Sequence, residues 1–356
     1  NMNLEKLLKI NPYYNKQKEK NFIFIKYIKL LTMHHIKNCK DYKNIIANLK
    51  FKTTKTKLIE KFPMLPISLF KSNNLMSIKK DKIVKTLVSS GTSGNNLSKI
   101  YLDKRNAINQ TKVLDIIFSR FISKERLPMM IVDKNPSLVS RHTYNAKSAA
   151  IYGFSIFGKN HFFLLNSKGE IDYTGLNKFL LKYGKNKFFI FGFTSMVYEQ
   201  LIKKISKKTK KLRMDNGILL HGGGWKKLEK FKINNKEFKE KLLKKLNIKK
   251  VYNYYGLVEQ TGSIYIESPE CGYFHTSIFS DIFIRDKNFK ILKNKKKGLI
   301  QLISLLPTSY PGHNILTEDI GEIIGVDDCK CGLKGKYFII HGRAKQAEIR
   351  GCSDVN

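Results

Sequence analysis

The sequence predicts an α/β fold with mixed sheets, flanking helices and a β-rich C-terminal part. Runs of β-branched and aromatic residues alternate with helix-compatible stretches through the middle of the chain, which is typical of α/β domains. Several of these runs end in glycine-rich loops, and the last quarter contains closely spaced strand patterns. With 356 residues, 42% of them hydrophobic, the chain can bury one large core or two smaller ones.

The first eighty residues are predicted to be mostly helical. Residues 21–31 mix apolar side chains with lysines at short spacing, and a second helix is predicted over residues 41–49, ahead of Pro63 and Pro66. No apolar run reaches the roughly 18 to 20 residues of a membrane helix, and the start of the chain lacks the layout of a secretion signal. We therefore expect no membrane span and a cytoplasmic location.

From residue 82 onward, the predicted elements alternate along the chain. Helices are predicted at residues 104–121 and 195–205, and strands at 82–88, 129–132, 188–193, 217–220, 251–254, 278–285, 298–305 and 337–340. In α/β sheets, ligands bind outside the carboxyl ends of the strands. The loops that follow these strands are therefore the first candidates for a functional site.

The chain is strongly basic, with 67 Lys and Arg against 28 Asp and Glu and a net charge of +39. Such a charge can serve nucleic-acid or anionic-membrane binding. The lysines are spread over the whole chain, however, and arginine, the main reader of bases, is scarce. The composition thus predicts no specific nucleic-acid partner, and salt-sensitive binding of polyanions stays open as one function.

A loop rich in hydroxyl groups and glycine follows the strand predicted at 82–88 and ends on one lysine. Its candidate ligand-binding residues are Ser90, Gly91, Thr92, Ser93, Gly94 and Lys99. Glycine lets the backbone approach a ligand closely, hydroxyls donate hydrogen bonds, and Lys99 supplies a point charge, so the loop predicts phosphate binding. The spacing differs from that of a Walker loop, and a plain connector is the competing interpretation.

Later segments also place reactive groups after strands. The three glycines at Gly222–Gly224 have no side chains, so a flat ligand could contact the backbone there. An ordinary loop explains the run equally well. Tyr255 can stack on a base, and Glu259 offers an oxygen ligand for Mg²⁺. Asp319 lies in a pair of carboxylates ahead of a predicted turn, where it suits a ribose diol, and Arg343 follows the last predicted strand.

These loops together resemble the ordered motifs of adenylate-forming enzymes. Within that superfamily, the chain most resembles the LuxE-type acyl-protein synthetases, the acid-activating subunits of bacterial fatty acid reductase complexes of the bioluminescence type. The resemblance spans about residues 89–354 and is carried by the segments HGGGWK (221–226), YGLVEQTGS (255–263), SYPGH (309–313) and RAKQAEIRGCSD (343–354). It extends more distantly to phenylacetate-CoA ligases.

The resemblance implies a role for each of these loops in binding ATP and Mg²⁺. By this resemblance, the loop over residues 90–99 would bind the phosphates and Glu259 would bind the Mg²⁺ ion. Asp319 and Arg343 would bind the ribose. Gly222, Gly223 and Gly224 would line the adenine, with Tyr255 packed beside it, and Gly256 is expected among the cofactor-binding residues. Lys345 corresponds to the hinge residue of the superfamily.

The resemblance also implies a domain organisation. A helical N-terminal region is expected over 1–82, the adenylation core over 83–341, and a hinge with a C-terminal stub over 342–356. The sequence ends shortly after the hinge, so we expect the large domain of an adenylate-forming enzyme without its small C-terminal lid domain.

The five cysteines suggest two different functions. LuxE-type proteins are expected to take the acyl group onto a cysteine near the C terminus, which falls on Cys352; nearby basic residues would favour its thiolate. Cys271, His275, Cys329 and Cys331 supply the ligand inventory of a structural Zn²⁺ site, of a kind that relatives of the phenylacetate-CoA ligase type can carry. The alternatives are an unreactive terminal cysteine and three reduced thiols in turns.

The resulting hypothesis is an ATP-dependent ligase that activates a carboxylic acid, expected to be a fatty acid, as an acyl-AMP. It would transfer the acyl group to Cys352 and then to an acyl reductase or another thiol acceptor. An acyl-CoA ligase and a catalytically degenerate nucleotide-binding scaffold are the alternatives. His313 could position a carboxylate or phosphate, or it could brace its loop by a hydrogen bond.

Overall fold

The fold is taken from a computed structural model of the chain, which describes residues 4–89, 97–136, 143–205, 212–224 and 233–344. The described residues form two compact units. Unit one comprises the described parts of 1–117, 140–146 and 256–356, and unit two those of 118–139 and 147–255.

Unit one combines the N-terminal helices with two mainly antiparallel sheets. Its helices are α1 (Leu4–Leu7), α2 (Gln17–Asn38), α3 (Lys40–Asn48), α4 (Leu69–Ser72) and α5 (Lys104–Phe121), whose last turn enters unit two. Short 3₁₀ turns lie at Thr53–Lys55, Ile59–Lys61, Lys80–Lys82 and Val258–Gln260. The early strands are β1 (Leu65–Pro66), β2 (Lys85–Val88), β3 (Lys99–Leu102) and β5 (Thr143–Asn145).

The later strands of unit one build its main sheet. They are β11 (Phe274–His275), β12 (Ser280–Arg285), β13 (Gly298–Ser304), β14 (Asn314–Val326) and β15 (Lys336–Arg343), while the short β10 (Tyr265–Ile266) is not part of this sheet. The order β11-β15-β14-β13-β12 is antiparallel throughout, and β1 adds to β14 in parallel. A smaller sheet has the order β3-β2-β5. The N-terminal region thus packs within the same unit as the last strands.

Unit two contains a parallel sheet with helices. Its strands are β4 (Leu127–Lys134), β6 (Gly158–Leu165), β7 (Phe188–Phe193), β8 (Gly217–Gly222) and β9 (Lys250–Tyr255), in the order β9-β8-β7-β4-β6. Its helices are α6 (Ala146–Ser155), α7 (Tyr173–Tyr183), α8 (Thr194–Met196), which continues as a π-helix over Val197–Ile205, and α9 (Asn235–Leu246). All four strand pairings are parallel, so the strands end at one common edge.

The predicted α/β class with a β-rich end is confirmed, and the bounds of α5 and β7 match the prediction. One local prediction is wrong: Glu318 and Asp319 do not precede a turn but lie inside β14. Because β14 pairs with β13 on one side and β15 on the other, sheet pairing outweighs the low strand propensity of acidic residues.

Candidate functional site

The strands β2 and β3 bracket the glycine- and hydroxyl-rich loop. They form an antiparallel hairpin in which the Ser89 backbone N–H donates to the Ser98 carbonyl at 3.0 Å, and the Ser98 N–H donates to Ser89 Oγ at 3.0 Å. Lys99 is the first residue of β3 and is exposed. The residues Ser90, Gly91, Thr92, Ser93 and Gly94 lie outside the described residues. Phosphate binding by this loop therefore stays a prediction.

Glu259 lies in the 3₁₀ turn over Val258–Gln260, and its side chain is buried, with 6% of the residue exposed. Burial raises the pKa of Glu259 above its usual value; the Ser98 hydroxyl and the Lys71 ammonium group oppose this rise, and the Glu318 carboxylate adds to it. The adjacent Gln260 amide fixes the turn by donating to the carbonyls of Leu302 and Gly312, at 3.1 and 2.8 Å. A cation at this carboxylate would offset the loss of hydration, so the group fits a Mg²⁺ ligand.

Asp319 and Arg343 are direct cross-strand neighbours on β14 and β15. Arg343 Nε lies 4.0 Å from Asp319 Oδ1, and the Arg343 side chain is 75% exposed while that of Asp319 is 16% exposed. At this exposure the ion pair itself adds little stability. The arrangement places a guanidinium and a carboxylate next to each other on neighbouring strands.

Two residues that the sequence analysis missed lie near Glu259. The Ser98 hydroxyl lowers the pKa of Glu259, and Ser98 immediately precedes Lys99. The Glu318 carboxylate raises that pKa, and Glu318 immediately precedes Asp319. A common site for Lys99, Glu259, Asp319 and Arg343 stays a prediction. Only their position next to predicted residues could have indicated Ser98 and Glu318.

The predicted adenine-binding residues of unit two meet at the carboxyl edge of the parallel sheet. β8 ends at Gly222 and β9 at Tyr255, and Gly222 is the register partner of Tyr254. A side chain at Gly222 would collide with the Tyr254 ring, and Gly223 has a φ of 78°. The fold itself thus requires two of the three glycines, whereas a Cβ at Gly224 would meet nothing within 4 Å. Gly256 follows Tyr255 and is assigned to unit one.

A buried threonine, also missed by the sequence analysis, braces the triple-glycine segment. Thr194 Oγ1 lies 3.0 Å from His221 Nδ1 and donates to the Gly222 carbonyl at 3.1 Å. His221 is 2% exposed, and burial lowers its pKa to about 3, so the imidazole is neutral at pH 7. No local pattern marks Thr194, because its partner lies 27 residues away.

Residues 309–313 have a structural role, because hydrogen bonds and ring contacts join this motif to helices of unit one. Asn106 Oδ1 accepts hydrogen bonds from the backbone N–H groups of Thr308 at 2.8 Å and Ser309 at 3.0 Å. His313 Nε2 lies 3.0 Å from Thr32 Oγ1, and its ring stacks on that of His35 with centroids 4.9 Å apart. Of the two interpretations of His313, the structure supports the bracing hydrogen bond.

Cys271, His275, Cys329 and Cys331 come together in unit one, as the sequence analysis predicted for a metal site. Their ligand atoms all lie within 4.8 Å of one another. His275 Nε2 is 3.3 Å from the Sγ atoms of Cys271 and Cys331, and the Sγ atoms of Cys331 and Cys329 are 3.3 Å apart. The cluster joins β11, which carries His275, to the turn between β14 and β15.

The donor set fits zinc. Zn–S bonds of about 2.3 Å and Zn–N bonds of about 2.0 Å in a tetrahedron place ligand atoms roughly 3.5 Å apart, close to the observed separations. Burial lowers the pKa of His275 to about 4, which keeps the imidazole neutral for coordination. Burial also raises the pKa of Cys329 to about 12, with the Cys331 and Cys271 sulfurs adding to the rise. A bound cation would stabilise the deprotonated form of these closely spaced thiols.

The two remaining predicted residues, the hinge Lys345 and the acyl-accepting Cys352, lie outside the described residues. Both roles stay predictions.

Comparison with known proteins identifies the family. The family described as "Acyl-protein synthetase, LuxE" matches residues 3–356. The chain belongs to the LuxE acyl-protein synthetase family. It is a ligase, and this membership supports acyl-adenylate formation. No curated protein matches the chain.

Solved structures show which fold the LuxE chain shares. A 2-hydroxyisobutyryl-CoA ligase, solved in an open conformation with 2-HIB-AMP and CoA, is similar with a TM-score of 0.70 at 12% identity, over 93% of this chain and 71% of that chain. ATP-bound MatB from Rhodopseudomonas palustris is similar with a TM-score of 0.50 at 14% identity, over 75% of this chain and 49% of the other. The fold is thus that of adenylate-forming enzymes. Within the described residues, none of the helices combines the length and the apolar character that crossing a bilayer requires.

Proposed function

We propose that this LuxE-family chain is an ATP-dependent acyl-protein synthetase for a carboxylic acid, with fatty acids as the expected class. The observation that carries the proposal is the match of the LuxE family over residues 3–356. The buried Glu259 carboxylate and the cross-strand pair of Asp319 and Arg343 support it. In this proposal Lys99 supplies a cation for phosphate, Glu259 a carboxylate for Mg²⁺, and Asp319 with Arg343 a polar pair for ribose.

The proposed reaction has two chemical steps. In the first, a carboxylate oxygen of the substrate forms a bond to the α-phosphorus of ATP, and the bond to pyrophosphate breaks. The charge that develops on the phosphates is stabilised by Lys99, while Glu259 would hold Mg²⁺, which supplies further neutralising charge when bound. In the second, the Cys352 thiolate attacks the acyl carbon and AMP leaves, which produces a thioester that passes to an acyl reductase or another thiol acceptor.

Carboxylate-dependent exchange of labelled pyrophosphate into ATP tests the first step. Glu259→Gln and Lys99→Ala should each lower the exchange rate by about a hundredfold, because each removes charge stabilisation at the reacting phosphates. Lys159→Ala, at an exposed position on β6, serves as the control and should leave exchange unchanged. Full exchange in Glu259→Gln, or none in the wild type with a wide panel of acids, would contradict the proposal and favour the scaffold alternative.

Mass spectrometry after incubation with ATP, Mg²⁺ and mixed acids tests the second step. The wild type should carry an acyl adduct on Cys352, and Cys352→Ser should retain pyrophosphate exchange but lose the adduct. Cys39→Ser is the matched control, since Cys39 is buried and lies apart from the metal-binding cluster. Acyl transfer to added coenzyme A without any protein adduct would favour the acyl-CoA ligase alternative.

We further propose that Cys271, His275, Cys329 and Cys331 hold a structural Zn²⁺ ion, since four protein ligands leave no open position for catalysis. Elemental analysis should find about one zinc per chain. Cys331→Ser should lower that content and the melting temperature, whereas Cys39→Ser should keep the zinc. Metal-free protein with three freely titrating thiols would contradict this assignment.

A further inference from the structure

A basic cleft in unit one lies between the end of α3 and the turn that precedes β1. Its volume is about 540 Å³, and it is lined by the single segment 49–61. Five of its nine lining residues are lysines: Lys50, Lys52, Lys55, Lys57 and Lys61. Within the described part of the chain, none of the five forms an ion pair with a carboxylate, and Glu60, the only acidic residue of the segment, does not line the cleft.

The cleft also presents apolar surface among its charges. Leu49 is 57% exposed and Leu58 is 48% exposed, although a folded chain usually buries side chains of this type. Phe51 is half-buried and packs against the ring of Phe62, with centroids 5.5 Å apart. The surface is therefore amphipathic, with lysines and leucines side by side.

Buried contacts anchor one end of the segment that lines the cleft. Ile59 is buried, the Glu60 carbonyl accepts a hydrogen bond from Arg285 Nη2 at 2.6 Å, and the Phe62 carbonyl accepts one from Asn314 Nδ2 at 3.1 Å. These contacts tie residues next to the cleft to β12 and β14.

We propose that this basic cleft docks an acidic amphipathic helix of a partner protein. Lysine binds anions as a flexible point charge, and the cleft has no arginine, which would bind a phosphate bidentately. The five lysines match a row of carboxylates, and the exposed leucines match the apolar stripe of the same helix. A protruding helix can enter a concave surface, whereas a flat membrane would contact only the edge of the cleft. The proposal does not depend on adenylate formation.

Fluorescence anisotropy with a labelled synthetic peptide tests the proposal. The peptide forms a helix with glutamates along one face and leucines along the other, and a scrambled peptide of the same composition lacks these faces. We expect the helical peptide to bind more tightly than the scrambled one, and its affinity to fall about tenfold between 50 and 300 mM NaCl as salt screens the charges.

Two matched triple variants locate the binding surface. K52E/K55E/K57E should weaken binding at least about tenfold, while K159E/K168E/K178E, which reverses three exposed lysines of unit two, should change it little although the net charge is equal. Leu58→Ser should weaken binding without altering its salt dependence. Circular dichroism establishes that each variant is folded.

Three outcomes would overturn the proposal. Equal losses in both triple variants would mean that binding follows net charge alone. Equal affinity for helical and scrambled peptides, or displacement by inorganic polyphosphate with the same dependence on the cleft, would indicate a general polyanion surface. Tighter, cleft-dependent binding to vesicles with 30% phosphatidylglycerol would assign the cleft to a membrane.

Discussion

The two units of this chain bury very different interiors. The sheet of unit two buries a cluster of aromatic rings, in which Phe191 packs on Phe154 and Tyr254 with centroids 4.7 and 6.2 Å apart. Unit one buries charges: Lys336 Nζ lies 3.1 Å from Asp281 Oδ2, and Lys20 Nζ donates to Thr276 Oγ1 at 2.9 Å. Both units bury many apolar side chains, and unit one adds this network of paired charges and hydrogen bonds.

This difference follows the way each unit is assembled. Unit two is built from strands and helices that follow one another in sequence, and each pair can bury its apolar face locally. Unit one joins segments that are far apart in sequence: the Gln17 amide donates to Asp281 at 2.8 Å across 264 residues. Hydrogen bonds have strict directions, so they fix which segments meet. Four of the predicted site residues, Lys99, Glu259, Asp319 and Arg343, belong to unit one.

The largest expected difference between the units appears on acidification. Unit one buries His35 and His313, and burial lowers both pKa values, that of His313 to about 3; unit two buries His221, with a pKa of about 3. In the unfolded state a histidine has a pKa of about 6.5 and is protonated below that pH, whereas these buried rings stay neutral. For each ring the free energy of unfolding therefore falls by about 1.4 kcal/mol per pH unit. Unit one also buries His275, whose pKa is lowered to about 4. From pH 6.5 to 4.5, unit one should therefore lose several times the stability that unit two loses, at about 2 kcal/mol per buried ring.

Hydrogen exchange of peptides from each unit at several pH values measures this loss. His313→Gln removes one titrating ring and should flatten the slope of unit one, whatever it does to stability at pH 7. An unchanged slope in that variant would show that other groups cause the acid sensitivity.

Phe191→Ala should break the aromatic core of unit two. Phe191 is fully buried, so the truncation removes apolar contacts and leaves a cavity, which lowers the free energy of unfolding by about 4 kcal/mol. Urea denaturation measures the change. Leu181→Ala, at an 82% exposed position in the same unit, is the control and should cost little. A small effect at Phe191 would mean that the aromatic cluster repacks easily.

Asp281→Ala should break the buried polar network of unit one. The carboxylate accepts hydrogen bonds from Lys336 and Gln17, so its loss leaves a buried cation without a counter-charge and should cost about 3 kcal/mol. Asp81→Ala removes an exposed ion pair with Lys82 and should have no measurable effect. If the double variant with Lys336→Met were less stable than Asp281→Ala alone, the unpaired charge would not be the cause.

Asn234→Ala should produce the smallest of these effects. The Asn234 side chain caps α9 by accepting a hydrogen bond from the Glu237 N–H at 2.9 Å, and the loss of such a cap costs about 1 kcal/mol. Lys236→Ala, in the first turn of the same helix but 88% exposed, is the control. An equal change in thermal stability for both variants would show that the cap is not what Asn234 contributes.

The strands and helices of unit two were the easiest to predict. Apolar runs such as residues 188–193 are buried on both faces of a parallel sheet, so composition alone marks them. Asp319 was assigned to the wrong kind of element, because strand pairing with β13 and β15 is not encoded next to it. Thr194 was missed for a similar reason, since its role depends on His221 in another element.

By itself, the sequence determined the α/β class, the family and the chemical types of the candidate site residues, because motif order and residue chemistry are local properties. The tertiary structure decided which of those residues meet. It brought Cys271 and His275 to Cys329 and Cys331, and it stacked the ring of His313 on that of His35. These contacts join segments separated by tens to hundreds of residues, and only the packing of the whole chain specifies distances of that kind.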